Sequence, residues 1–396
     1  MAADRAGRAR PSLQARFVAS LAALDPGWER SRYVLGFSGG RDSTALAALL
    51  AGTLPPGRAL AATLDHGIRE GSADEAARAA EAARSLGLEA LTGRAGVPAE
   101  ARARGKGLEE AGRAARYRFL AEAKASFGAD FILTAHHAGD SAETVLLKIA
   151  RGAGPGALVG IPARSGDVLR PLLPFRREEL EGYLASRGLA WIEDPSNADA
   201  RFLRNRVRER ALPLFLDLNP RFLEALARGA LISRDEEDFW LARLALLEGR
   251  LVRPAGGIPE APGPGAAPPG DPSPAAAARR EAAGGPGASP GPPPPGAPAP
   301  DPDALAGGPF LVGREGFLSL HPAERRRLMG RLIRRVRLPG PSGGEPAQLA
   351  GTEAALAFAL SGKRGGIDLP GGRRIERRGA ILYLGLASRY DAARRG

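Results

Sequence analysis

The chain has 396 residues, with 53 glycines, 35 prolines, four histidines and no cysteine, a length that predicts two or three domains and a composition that excludes disulfides, thiolate metal sites and a cysteine nucleophile. Basic residues outnumber acidic ones 56 to 44, and only Lys106, Lys124, Lys148 and Lys363 are lysine, so the +12 charge is almost all arginine; polyanion binding and an Arg/Ala/Gly/Pro-biased genome both account for it. No apolar run of about 18 residues occurs, which predicts no membrane-spanning helix, and the absence of a signal-type segment makes cytoplasmic the expectation.

In chain order, the pattern predicts a helix over 12–24 and a short apolar strand over 33–37 that ends in Ser38-Gly39-Gly40. A helix over 43–51, a buried strand over 60–64 and a helix over 73–86 follow. A long amphipathic helix over 109–127, a strand over 131–135 and a helix over 141–150 complete the series. Strands alternating with helices imply an α/β fold with a doubly wound, mostly parallel sheet. Residues 213–251 read as mostly helical. Residues 254–309 hold 18 prolines and 12 glycines in 56 positions, a composition expected to form a disordered, partly polyproline linker. Beyond it, a very basic helix over 322–337, a short helix over 353–360 and strands over 367–369 and 380–386 around the turn at Gly371-Gly372 suggest a small C-terminal α+β module. The expected domains are 1–215 (catalytic), 216–253 (helical connector or substrate-binding domain), 254–309 (linker) and 310–396 (C-terminal module).

The most specific chemistry lies in Ser38-Gly39-Gly40-Arg41-Asp42-Ser43, directly after the first apolar strand. Glycines let backbone approach a ligand, and the free amides opening the next helix face an anion. Ser38 and Ser43 add hydroxyls, and Asp42 can hold a metal or orient a phosphate-bound group. No G-x-x-x-x-G-K-[ST] pattern exists, so this is not a Walker-type loop. The run Gly152-Ala153-Gly154-Pro155-Gly156-Ala157 formally matches a dinucleotide fingerprint, but it follows a helix and Pro155 offers no amide.

Asp65 and His66 follow the second predicted strand, at the end where open α/β sheets bind ligands. His136, His137, Asp140 and Glu143 follow a later strand. Asp140 and Glu143, three apart, share a helix face and suit Mg²⁺ or an ammonium group, while His136 suits proton transfer or a phosphate contact. Arg113 and Arg116 are spaced to grip a phosphate from one helix face or to form a solvated basic stripe. Asp194-Pro195-Ser196-Asn197 leads into Arg201, Arg204, Asn205, Arg206 and Arg208, a set dense enough to follow an RNA backbone.

The loop at 38–43 resembles that of the PP-loop ATP pyrophosphatase superfamily. The segments 65–69, 110–117, 134–144, 151–154, 170–173 and 194–208, in this order, resemble its tRNA(Ile)-lysidine synthase family over residues of about 30–220. Gly112 and the proline-rich insertion depart from that pattern. The resemblance implies an ATP- and Mg²⁺-dependent carbon–nitrogen ligase. Its partners would be free L-lysine and the CAU-anticodon tRNA(Ile), with no membrane and a homodimer allowed for. It implies nucleotide contacts at Ser38, Gly39, Gly40, Arg41, Asp42, Ser43, Asp65 and His66, and metal contacts at Asp42 and Asp140. Catalytic work would fall to Asp42, Arg113, His136, Asp140 and Glu143, and tRNA contact to Arg201, Arg204, Asn205, Arg206, Arg208 and the basic helix at 325–337. An ammonia-fed NAD synthetase-like ligase and a non-catalytic tRNA-binding protein are the alternatives.

Overall fold

The computed structural model describes residues 11–68, 71–105, 107–153, 155–193, 203–255, 309–336 and 349–387. By packing, the chain divides into residues 1–238 and 239–396, a boundary that falls inside one long helix, Phe222–Leu251.

The first unit is built on strands β1 (Tyr33–Gly36), β2 (Ala59–Asp65), β3 (Glu89–Arg94), β4 (Phe131–Leu133), β5 (Arg164–Ser165) and β6 (Val168–Leu169). They lie in the order β3-β2-β1-β4-β6-β5, parallel except for the edge pair β5–β6. This is the expected doubly wound α/β sheet. Its helices are α1 (Leu13–Leu24), α2 (Arg41–Ala51), α3 (Ser72–Ser85), α4 (Val97–Arg104), α5 (Leu108–Phe127), α6 (Ala138–Ala150) and α7 (Arg177–Ser186). Alternate residues of β1 point to opposite faces: Tyr33 and Leu35 pack in a core with α1, α2, α3 and α7, whereas Val34 joins Leu120 and Ala123 of α5. Strand order reverses at β1, which has β2 on one side and β4 on the other. Chain leaving the C-terminal ends of β1 and β4 therefore borders the crevice where such sheets bind ligands.

Several expectations needed revision. The helix after the glycine turn starts at Arg41 rather than 43, because Gly40 is its N-cap and Asp42 enters its first turn. β3, with half-exposed residues, α4 and α7 were not anticipated. Helix α5 runs unbroken through Gly112.

After α7, the helical run comprises α8 (Leu203–Arg206), a π-type turn (Val207–Ala211) and α9 (Leu212–Leu218), followed by α10 (Phe222–Leu251). Leu212 and Leu223 pack on Ala142 of α6, and Phe215 stacks on Phe222 with ring centroids 4.8 Å apart. This small apolar cluster sets the run against α6.

The second unit carries an antiparallel sheet of β7 (Val252–Pro254), β8 (Phe310–Gly313), β9 (Gly365–Leu369), β10 (Arg373–Arg378) and β11 (Ile381–Leu386), ordered β7-β8-β11-β10-β9. Helices α11 (Arg314–Leu318), α12 (Pro322–Arg335) and α13 (Leu349–Leu360) complete it. Phe310, Phe317, Leu332, Ile333, Ile375 and Leu384 fill its core. The turn at Gly371-Gly372 joins β9 to β10, not to the strand near 381 as the sequence suggested. The arginine-dense RRIERR of β10 hides its alternation: Arg373 and Ile375 are both buried, with the Arg373 guanidinium donating to the carbonyls of Pro370 and Val336. Pro254 pairs with Phe310, and the Ala255 amide donates to the Pro309 carbonyl at 2.9 Å. The predicted linker thus begins and ends in one antiparallel pair, and its residues 256–308 lie outside the described residues.

Candidate active site

Residues 37–40 link β1 to α2, and their shape is set by hydroxyls and glycine. Gly39 has φ +73°, and a Cβ there would come within 2.8 Å of the Ile192 side chain. Its carbonyl accepts from the Ile192 amide at 2.8 Å and from the Thr44 hydroxyl at 3.1 Å. Ser43 Oγ donates to the Gly40 carbonyl at 2.9 Å and lies 3.2 Å from Ser38 Oγ. The turn is thus held before any ligand arrives, and both serines belong to that framework. Arg41 Nε donates to Asp42 Oδ1 at 3.2 Å.

The loop after β4 approaches from the other side of the crevice. His137 caps α6: its Nδ1 accepts from the Gly139 amide at 3.0 Å, and its own amide donates to Asp140 Oδ2 at 3.0 Å. A Cβ on Gly139 would lie 2.7 Å from His137 Cε1, so glycine is what admits the ring. With Nδ1 accepting, hydrogen bonding assigns the ring proton to Nε2. That nitrogen lies 3.8 Å from Asp42 Oδ2 and 3.6 Å from Asp140 Oδ2. The carboxylates that follow β1 and β4 therefore flank one imidazole.

Asp140 and Glu143 do share a helix face, and Arg204 and Arg208 cover it. Glu143 is 1% exposed. Its oxygens accept from Arg204 Nε at 2.8 Å and from Arg208 Nε and NH2 at 2.6 and 3.1 Å. Arg204 NH2 also donates to Asp140 Oδ1 at 3.0 Å. Burial opposes ionisation of Asp140, but His137, its amide and Arg204 outweigh it and hold the carboxyl below the ordinary range. Burial alone would favour loss of the Arg208 proton, yet Glu143, Asp140 and Asp42 raise its pKa.

His136 Nδ1 shares a 2.9 Å hydrogen bond with Thr134 Oγ1. Burial, reinforced by Arg170, Arg204 and Arg113 against the pull of Asp140, brings its pKa down to about 4. It is a neutral imidazole at neutral pH. Arg113 is exposed, with its guanidinium 5.0 Å from the Tyr117 ring centre.

Asp65 and His66 form a separate group at the end of β2. Asp65 Oδ1 accepts from the Gly67 amide at 2.8 Å, and Oδ2 lies 3.4 Å from Arg94. Burial of Asp65 is outweighed by Ser72, that amide and Arg94, and its pKa is lowered. Burial, with Arg116 nearby, lowers His66 as well, and His66 Nδ1 is buried without a hydrogen-bond partner. Gly112 of α5 lies beneath it: an added Cβ would be 3.8 Å from Nδ1, an ordinary contact, so the space does not require glycine.

Of the expected RNA contacts, Arg204 and Arg208 point to the carboxylates, Asn205 is buried and Arg206 is exposed. Arg201 and residues 194–197 lie outside the described residues, as does Arg337. In the basic helix α12, Arg331 and Arg335 bind the buried Glu248 at 2.7 and 2.9 Å, Arg326 binds Glu353 at 2.6 Å, and Arg327 covers the Trp240 ring. Among the described residues, no group of three or more His, Asp or Glu is arranged to hold a metal, and no helix is long and apolar enough to cross a membrane. Thr134, His137 and Arg170 lie in segments that the sequence brings forward, but without a role of their own; an Asp three residues after His137, the spacing of a capping box, is the available signal for that residue's role.

Residues 13–215 match the family model described as a PP-loop domain, just over half of the chain. The chain belongs to the PP-loop family. Among curated relatives of this PP-loop protein, the tRNA(Ile)-lysidine synthase of Nitratidesulfovibrio vulgaris is 43% identical over 218 residues, 54% of this chain and 62% of that protein. The protein of the same name from Thermus thermophilus is 44% identical over 220 residues, 55% of this chain and 42% of its own. That of Salinispora tropica is 45% identical over 201 residues, 49% of this chain and 59% of its own. The PP-loop chain thus spans less than two thirds of the length of these relatives. Among solved structures, the U34-tRNA thiolase NcsA from Methanococcus maripaludis aligns at 16% identity with a TM-score of 0.46, over 55% of this chain and 76% of its own.

Proposed function

We propose that this PP-loop chain joins L-lysine to carbon 2 of the wobble cytidine in the CAU-anticodon tRNA(Ile), using ATP. The observation that carries the reading is the meeting of the glycine turn after β1 and the carboxylates after β4 across a single crevice. The names of relatives with 43–45% identity, each matched over about half of the chain, supply the substrate class. On this reading residues 1–215 form the catalytic domain, 216–253 a helical connector and 310–396 a tRNA-binding module, with 254–309 linking the last two.

The cytidine O2 attacks the α-phosphorus of ATP and diphosphate leaves. The lysine ε-ammonium gives up a proton to solvent, its freed lone pair attacks carbon 2, and AMP departs with the former carbonyl oxygen as the added nitrogen releases a second proton to solvent. The turn at Ser38–Ser43 would hold the diphosphate through amides and hydroxyls. Asp42 and Asp140, one on each side of His137, offer the one or two carboxylates that Mg²⁺ takes alongside phosphate oxygens and water, so the donor set fits that ion without an all-protein cage. When bound, Mg²⁺ would neutralise phosphate charge. Neutral His136 and the exposed Arg113 suit hydrogen bonding and charge compensation at the phosphates. Asp65 and His66, at the end of the neighbouring strand, would border the nucleotide.

The two carboxylates of α6 divide their work. Glu143 is enclosed and both of its oxygens are taken by arginine, so it anchors Arg204 and Arg208. Asp140, at the edge of the cluster and firmly ionised, would hold a cation, either Mg²⁺ beside Asp42 or the lysine ammonium; a carboxylate of lowered pKa binds a cation well and removes its proton poorly. Arg201, Arg206 and the exposed part of α12 would meet the tRNA, whereas Asn205 is buried.

The test is incubation of the purified chain with ATP, Mg²⁺, labelled lysine and total tRNA. The expected result is label in one tRNA species with an equal amount of AMP. ADP as product, or AMP formed with deamido-NAD and ammonia but not with tRNA, would refute the reading.

A further inference from the structure

Arg170 follows β6 directly, on the strand next to β4. Its amide donates to the Ala163 carbonyl at 2.9 Å, and the Thr134 amide donates to the Leu169 carbonyl at 3.1 Å, so Arg170 sits beside the turn that carries Thr134 and His136. The residue is 5% exposed. One guanidinium nitrogen, NH1, donates to the Pro162 carbonyl at 2.7 Å. Its Nε is buried and has no hydrogen-bond partner. Among the described residues no carboxylate pairs with it, whereas Arg204 and Arg208 are matched by Asp140 and Glu143.

A guanidinium withdrawn from water without a counter-charge is unfavourable, and a donor left unpaired adds to that cost. Carbonyl groups relieve only part of it. The neighbouring His136 cannot compensate, because it is uncharged or positive, and the charge of Arg170 helps keep it uncharged. Beside this end of the crevice the protein therefore holds a buried positive charge and an idle N–H donor, a combination that an anionic oxygen would complete.

We propose that Arg170 is a binding residue for the phosphate chain of the nucleotide, its unpaired Nε becoming available to the anion when the side chain turns from its buried position at the end of β6 toward the crevice. The proposal rests on the ATP reading above. It predicts that the affinity for inorganic diphosphate and the KM for ATP depend on this side chain, and that the dependence is on its planar fork as well as its charge.

The test uses the full chain and its Arg170→Gln and Arg170→Lys variants, each first compared with the parent by thermal melting. Calorimetric titration with inorganic diphosphate should show affinity lowered roughly tenfold or more in Arg170→Gln, the loss of a charge-assisted hydrogen bond, and by less in Arg170→Lys. KM for ATP should rise in the same order, with KM for tRNA unchanged. Folded Arg170→Gln that binds diphosphate within twofold of the parent would overturn the proposal. So would a defect confined to tRNA affinity, which would assign the donor to an RNA phosphate, or a parent protein that does not bind diphosphate at all. If diphosphate binding depends on Arg170 while the parent fails to convert ATP to AMP, the anion site stands and the ligase reading falls.

Discussion

Each unit of the molecule buries a glutamate between two arginines spaced four apart on one helical run. In the first unit Glu143 takes Arg204 and Arg208; in the second, Glu248 takes Arg331 and Arg335. The two glutamates are 1% and 4% exposed. The local chemistry is nearly identical, and the surroundings separate them. Glu143 is one helical turn from Asp140, which lies beside His137 and faces Asp42 at the point where strand order reverses. Glu248 lies on α10 beside the apolar packing of Leu244, Leu247 and Val252 with α12. A clamped carboxylate alone thus says nothing about catalysis; a second and third carboxylate flanking one imidazole at a sheet's C-terminal edge do.

That contrast can be broken experimentally. The largest effect is expected for Asp42→Ala, which removes a charge at the crevice without touching either clamp: AMP formation should fall roughly a hundredfold or more with the melting temperature little changed. Glu143→Gln and Glu248→Gln should each lower unfolding stability by about 3 kcal/mol, because either leaves two guanidinium groups facing a neutral amide. Only Glu143→Gln should raise the KM for lysine among molecules that stay folded, and only Glu248→Gln should leave the KM for ATP at the parent value. Urea unfolding and steady-state kinetics on the same preparations check both; equal kinetic damage from the two would erase the distinction.

His136 sharpens it through pH. An unfolded chain's histidine takes up a proton below about 6.5, whereas the folded one waits until about 4. Between those values the unfolded state binds more protons, so this residue's contribution to stability is complete above 6.5 and is lost as pH falls toward 4. His136→Asn should flatten that stretch of the stability curve, and the parent imidazole should show no NMR titration near neutrality. The smallest effect is expected at Arg206, the exposed arginine of its helix: Arg206→Ala should reduce the slope of log tRNA affinity against log salt by about one, read by filter binding across salt concentrations.

Sequence periodicity exposed the first unit well because β1, β2 and β4 are apolar runs closed by polar turns. β3, half exposed, and β10, written RRIERR, carry too little apolar contrast to stand out. The glycine turn was legible because its chemistry is contiguous. The pairing of Glu143 with Arg204 and Arg208 was not, since 61 and 65 residues separate the partners and the arginines could as well have faced RNA. Arg170 falls in one of the segments that carry the resemblance, but its role was hidden for a related reason: in an arginine-rich chain, an unmatched guanidinium is recognised only from what fails to surround it.

The pairing of β7 with β8 has a consequence for how this gene can change. Because Pro254 and Phe310 are already held side by side, whatever joins them starts and finishes at one place, and the entropy of closing such a loop grows only logarithmically with its length. Codons can accumulate or vanish there with little penalty to the strands that frame them, so interspecies variation in chain length should collect at this junction. The same junction is a natural location for new termini in a circular permutant or for grafting a foreign module.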